Sequence, residues 1–130
     1  MKVRNVEYKD AIEIKKLLVH SPSIVDSNRL LPEILEHIDN SDSIATIVED
    51  EGKMLGVWLS KELDEYISLS YFYIAEELRM KSIVLKFFAY NYNLVKEKNK
   101  NILIKANDLT GFERYVVHVE DDIYMFKGFR

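Results

Sequence analysis

The stretch YISLSYFYI, residues 66–74, does most to restrict the fold. Its aromatic and β-branched side chains read as a strand. Alternation puts Ile67, Leu69, Tyr71 and Tyr73 on one face, and Ser68, Ser70, Phe72 and Ile74 on the other. Through residues 75–82, AEELRMKS, the period changes from strand to helix. Ile83, Val84, Phe87, Phe88, Leu94 and Val95 recur at helical spacing, with Asn91 in the same row. This helix runs from about Ser82 to Lys98, and Asn99-Lys100-Asn101 stops it. Ile102 to Ala106 reads as a strand again. A strand, a helix and a second strand form a crossover, so the two strands lie parallel in one sheet with the helix on its face.

The rest of the chain adds to that unit. Met1 to Tyr8 reads as a strand, and Asp10 caps a helix, with Glu13 completing a capping-box-like pair. Ala11, Ile14, Leu17 and Leu18 form that helix's apolar stripe, and His20-Ser21-Pro22-Ser23 breaks it. A second helix starts near Pro32 and buries Leu31, Ile34, Leu35 and Ile38. Ile44 to Glu49 and Met54 to Ser60 flank the turn Asp50-Glu51-Gly52-Lys53 as a hairpin. Leu109 to Tyr115 reads as a short helix or turn, and Val116 to Glu120 and Ile123 to Phe129 as a last hairpin across Asp121-Asp122. The predicted order is β-α-α-β-β-β-α-β-α-β-β, an α/β (α+β) mixed sheet, antiparallel first and parallel near the crossover.

Composition narrows the function. At 130 residues the chain fits one domain spanning 1–130, and 48% hydrophobic residues build a core without staples. It has no cysteine, which excludes disulfides, Cys-based zinc and thiol catalysis and suits a reducing, cytoplasmic setting. MKVRNVEYKD carries no apolar run behind its charges, so no signal peptide is expected, and no apolar run is long enough for a membrane span. A net charge of −4 argues against nucleic acid as the main partner, although Lys96 to Lys105 is basic. Gly-x-Ser-x-Gly and P-loop patterns do not occur. Glu33 and His37 share a helix face, a spacing that metal sites use; no third ligand is visible, no metal is expected, and they read as a solvated pair. Trp58 reads as core or as a cleft wall. Arg79 and Lys81 stand at the strand-to-helix junction, where they pair with Glu76 and Glu77 or hold a phosphate.

Four segments together resemble the GNAT superfamily of acyl-CoA N-acetyltransferases, over nearly the whole chain. VRNVEYKDAIEIKKLL resembles the opening strand and aspartate-capped helix, and IATIVEDEGKMLGVWLS the next two strands, with Gly56 after the turn. LSYFYIAEELRMKSIVLKFFAYNYNLVKEKN resembles the cofactor segment, and IYMFKGF the terminal strand. Arg79, Lys81 and Ile83 match the motif Arg, Lys and Ile, whereas Met80, Ser82 and Val84 stand where the family has glycine. The family's frequent strand carboxylate falls on Ser70 or Tyr71. In NDLTGFERYVV, Phe112 takes the place of the family tyrosine, and Tyr115 is its nearest substitute.

The resemblance implies acetyl-CoA as cofactor, its pyrophosphate on the amides of the strand-to-helix turn and its pantetheine beside the splayed end of the preceding strand. Phe72, Ile74, Arg79, Met80, Lys81, Ser82, Ile83, Val84 and Asn107 would hold it. Trp58 and Tyr71 would line the acceptor groove, and Tyr115 would protonate the leaving thiolate. The implied activity is transfer of acetyl to a primary amine of a small molecule or protein. The alternative is a GNAT-fold protein without turnover that acts by binding a protein partner. No nucleic-acid or membrane partner is expected, and homodimerisation is left open.

Overall fold

A computed structural model of the chain describes residues 2–20, 27–75, 82–105 and 113–127. Its strands are β1 (Lys2–Asn5), β2 (Ser43–Asp50), β3 (Lys53–Glu62), β4 (Tyr66–Ile74), β5 (Asn101–Lys105), β6 (Val116–Glu120) and β7 (Ile123–Phe126), and its α-helices are α1 (Ala11–Leu18), α2 (Leu30–Asp39) and α3 (Ile83–Lys96). All seven strands join one sheet in the order β1-β2-β3-β4-β5-β7-β6. β4 and β5 pair in parallel across the α3 crossover, and the other neighbours are antiparallel, as the sequence pattern predicts.

Each sheet face carries its own core. On one side α3 sets Ile83, Phe87, Phe88 and Val95 against Val48, Trp58, Leu69, Ile74, Ile102 and Phe126. On the other, α1 and α2 set Ile14, Leu18, Leu30 and Ile34 against Ile47, Val57, Leu59 and Tyr73. Asn91 belongs to the buried row of α3 because it is satisfied there. Its Oδ1 accepts from Thr46 Oγ1 at 2.6 Å, and its Nδ2 donates to the Phe87 carbonyl at 2.9 Å. Asn99, at φ 54°, ends the helix in the left-handed conformation that asparagine tolerates.

The turns follow their chemistry. Glu51 (φ 50°) and Gly52 (φ 78°) make a two-residue hairpin loop with both central residues at positive φ, the twist that suits a tight β-hairpin. Gly56 is needed for a different reason. A Cβ there would come within 2.4 Å of Ile74 Cδ1 and 3.0 Å of the Tyr73 carbonyl oxygen, so neighbouring strands close over bare backbone.

One capping expectation is corrected. Asp10 precedes α1 but turns its carboxylate backward: Oδ2 accepts from the Glu7 amide at 2.8 Å, and both oxygens take the Arg4 guanidinium at 2.8 Å. The bidentate arginine outcompetes the Glu13 pairing that sequence spacing suggests. α2 begins at Leu30, which puts Pro32 in its first turn as the sequence suggests. Of the short helix or turn expected over Leu109 to Tyr115, the described part is a 3-10 turn at Glu113–Tyr115, and residues 109–112 lie outside the described residues.

The alternation along β4 is the second correction, and it matters most. Leu59 pairs with Tyr71 while Ser60 pairs with Leu69, so Ser70 is an extra residue in β4. This β-bulge inverts the pattern beyond it. Ile67, Leu69 and Ile74 are buried on the α3 face, and Phe72 packs with them. Tyr71 and Tyr73 lie on the α1/α2 face. Strict period-two reading puts Phe72 and Ile74 opposite Leu69, and the bulge brings them to its side.

Candidate active site at the β4 bulge

The bulge turns two consecutive side chains, Ser70 and Tyr71, toward α2. There they meet Glu33 and His37, which stand one helical turn apart and so share a face. The Tyr71 hydroxyl donates to Glu33 Oε2. His37 Nδ1 lies 2.7 Å from the Glu33 carbonyl oxygen, and Nε2 lies 3.0 Å from Ser70 Oγ. A carbonyl only accepts, so Nδ1 carries the ring hydrogen. Nε2 then presents its lone pair, and the Ser70 hydroxyl donates into it. The Tyr71 ring meets the imidazole edge-on, with centroids 6.2 Å apart.

Burial sets the protonation states. His37 is 3% exposed, and desolvation holds its pKa below the ordinary histidine value, against the opposing pull of the Glu33 carbonyl. The imidazole is therefore neutral at pH 7. Burial, then the bond to Glu33, pushes the Tyr71 phenol up, so it stays protonated. The cluster combines a neutral base, a carboxylate and two hydroxyls, with Ser70 exposed to solvent. The expected solvated Glu33–His37 pair is thus a half-buried site. No strand carboxylate is legible at Ser70 or Tyr71 because the carboxylate arrives from α2.

The bulge also marks where β4 leaves β5. Their parallel ladder runs from Tyr66–Asn101 to Leu69–Ile104, and in the described residues it goes no further.

The predicted site residues fall in different surroundings. Phe72 packs on the α3-side core; it stacks on Phe87 with centroids 6.0 Å apart. Ile74 and Ile83 are buried, and Ser82 is exposed at the start of α3. Val84 is half-buried against the core, so its branched side chain goes inward. Arg79, Met80, Lys81 and Asn107 lie outside the described residues, as does the turn that would carry the pyrophosphate. Tyr115 precedes β6, with β5 and β7 between that strand and β4. Its ring packs against the core and under the Arg114 guanidinium at 5.6 Å.

Trp58 is corrected from groove wall to core. It is fully buried, edge-on to Phe72 at 5.8 Å and Phe88 at 5.0 Å, and its Nε1 donates to Ser60 Oγ at 2.8 Å. Tyr71, expected along the acceptor groove, faces α2 and bonds to Glu33. Glu33, His37 and Ser70 were missed as a group; the i, i+4 spacing of Glu33 and His37 was visible, but the bulge that completes it was not.

Neither a family model nor a curated protein sequence matches the chain. Solved structures do. Aminoglycoside 6'-acetyltransferase type Ii is similar at TM-score 0.77 and 15% identity, over 100% of this chain and 99% of that one. A GNAT family acetyltransferase from Staphylococcus aureus Mu50 is similar at TM-score 0.77 and 13% identity, over 96% and 97%. An N-acetyltransferase from Thermoplasma acidophilum, solved with coenzyme A, is similar at TM-score 0.71 and 14% identity, over 95% of both chains. The fold is the GNAT fold. At these identities the likeness is one of architecture.

Proposed function

We propose that this GNAT-fold protein is an acetyl-CoA-dependent N-acetyltransferase acting on a primary amine of a small molecule or a protein. The observation that carries the reading is the convergence of Glu33, His37, Ser70 and Tyr71 at the point where β4 parts from β5. Similarity to structures described as complexes with coenzyme A and acetyl-CoA supports the cofactor.

The residues fit that cofactor in two respects. The β4–β5 ladder ends beside the exposed Ser70, and Val84 is turned into the core rather than over the helix start. Backbone amides at the start of α3 lack intrahelical partners and favour an anion. In this reading Ser82 and Ile83, with Arg79, Met80, Lys81 and Asn107, hold the nucleotide end, and Phe72 and Ile74 anchor the strand beside it. Bound acetyl-CoA supplies an activated acyl group. Glu33 draws the ammonium of the acceptor toward the bulge. Tyr71 orients that carboxylate, and neutral His37 supplies the base that frees the amine for attack. The bulge cluster takes the acid–base role expected of Tyr115.

Thermal unfolding with millimolar acetyl-CoA tests this, with desulfo-CoA and ATP as controls. A ligand at 100 times its dissociation constant adds about 2.7 kcal/mol, a rise of several degrees for a domain this size. The rise should occur with desulfo-CoA, not with ATP, and should vanish in Arg79→Glu. No rise with either coenzyme would replace this reading with that of a GNAT-fold protein that binds a partner.

A further inference from the structure

We propose that the outer edge of β6 is an interface for a second copy of this chain, the two β6 strands pairing antiparallel about a two-fold axis at His118. The inference is independent of the acetyl-CoA reading. β6 ends the seven-stranded order, with β7 on one side and no strand of the described sheet on the other. Beyond Val116, neither helical layer covers it: Val117, His118, Val119 and Glu120 are all exposed. Val117 and Val119 are 45% and 52% exposed, so two apolar, β-branched side chains stand in water on one edge strand. His118 between them is turned onto its own hairpin. Its Nε2 lies 2.8 Å from the Asp121 carbonyl oxygen, and its ring meets Tyr124 edge-on at 5.4 Å.

The two edges of the sheet are built differently. β1, at the far edge, carries Lys2 and Arg4, the kind of charge that keeps foreign strands away. β6 carries no lysine, arginine or proline. Val119 also has no partner in β7, since His118 pairs with Tyr124 and Glu120 with Ile123. Such an extra residue is left out of the ladder, so its backbone groups are open to another strand. Val116 is the one β6 residue in the core. A two-stranded ribbon with so little burial is marginal by itself and gains from a further strand.

Charge selects the occupant and its direction. The exposed Arg114 precedes the strand, and Glu120, Asp121 and Asp122 close it. A parallel copy would set like charges side by side. An antiparallel copy sets the basic start of each strand against the acidic end of the other. Centred on His118, the pairing puts Val117 opposite Val119 of the second copy and Arg114 opposite its Asp122, each twice. The same patch serves both chains, which is the isologous arrangement of a two-fold dimer. A second copy supplies this complementarity by symmetry, whereas an unrelated extended peptide would have to match it.

The test is sedimentation equilibrium of the full chain over a range of concentrations. The expected mass approaches twice the 15.3 kDa of one chain. Val119→Lys should return the monomer without unfolding it, because the side chain is exposed; a thermal melt of each variant separates lost pairing from lost folding. Arg114→Glu should weaken the dimer, and adding Asp122→Arg should restore it. Opposed residues of an antiparallel pair lie about 4.5–5.5 Å apart at Cα, within reach of a disulfide, and the chain has no cysteine of its own. His118→Cys should therefore cross-link into a covalent dimer on oxidation, and Glu120→Cys should not. A monomer at every concentration would overturn the proposal. So would a dimer that survives Val119→Lys, or one that cross-links at Glu120→Cys and not at His118→Cys.

Discussion

Ser70 Oγ and His37 Nε2, 3.0 Å apart, join the bulge of β4 to α2 across 33 positions of sequence. The bond holds the helix that carries Glu33 against the strand that carries Tyr71. It also links the stability of the α1/α2 layer to the protonation state of one imidazole. The groups facing that ring are Glu33 and Glu36 from α2, Lys61 from β3, and Ser70 and Tyr71 from β4.

The first prediction concerns pH. His37 has a folded pKa below its unfolded value of about 6.5 because burial penalises the cation. Between the two values the unfolded chain binds more protons, so stability rises with pH there. The contribution is fully present above about pH 6.5 and is lost as pH falls through and below that point. Melting temperature measured from pH 7.5 down to 5.5 should fall more steeply for the native chain than for His37→Gln. Parallel curves would exclude the buried neutral ring.

Asp10 should matter in a more acidic window. The bonds from Arg4 hold its carboxyl below the usual range, against an opposing desolvation penalty. Its contribution is present above the unfolded carboxyl pKa, about 3.9, and is lost as pH falls toward the lower folded value. Asp10→Ala removes a bidentate partner from Arg4 and an acceptor from the Glu7 amide. A loss of about 2–3 kcal/mol at pH 7 is expected from urea unfolding, and the mutant should lack the native chain's added loss below pH 4.

Gly56→Ala should cost about 1–3 kcal/mol. The new methyl meets the flexible end of Ile74 at 2.4 Å, which can shift, and the Tyr73 carbonyl oxygen at 3.0 Å, which cannot without moving β4. Because Ile74 lies beyond the bulge, the strain falls on the segment beside the site. Denaturant midpoints measure the cost; an unchanged midpoint would mean that the strands are less closely packed than described.

Trp58 gives an optical test. It is the single tryptophan, and it is fully buried between Phe72 and Phe88. Its emission should be blue-shifted, resistant to iodide, and insensitive to acceptor amines. Iodide quenching in the folded protein would return the residue to the groove wall.

Much of the architecture was legible because local period and turn chemistry agree with the fold. The YISLSYFYI strand, the helix stripe from Ile83 to Val95 and the Glu51-Gly52 turn each announce themselves within a few residues. The site was legible only in fragments. Glu33 and His37 stood at helical spacing with no sign that the imidazole is buried, and Ser70 and Tyr71 stood on a strand whose alternation placed them on opposite faces. Trp58 fitted both core and cleft, and only packing against Phe72 and Phe88 decided it.

The division has a physical cause. The sequence by itself determined which segments are strand and helix, and that the chain crosses over between residues 66 and 105. Those are properties of neighbours along the chain. Only the tertiary structure decided that β4 carries one residue more than β3 can pair, because a bulge is set by the register between two strands. That extra residue turns Ser70 and Tyr71 toward α2, and the burial that makes His37 neutral exists only once α2 has docked on the sheet.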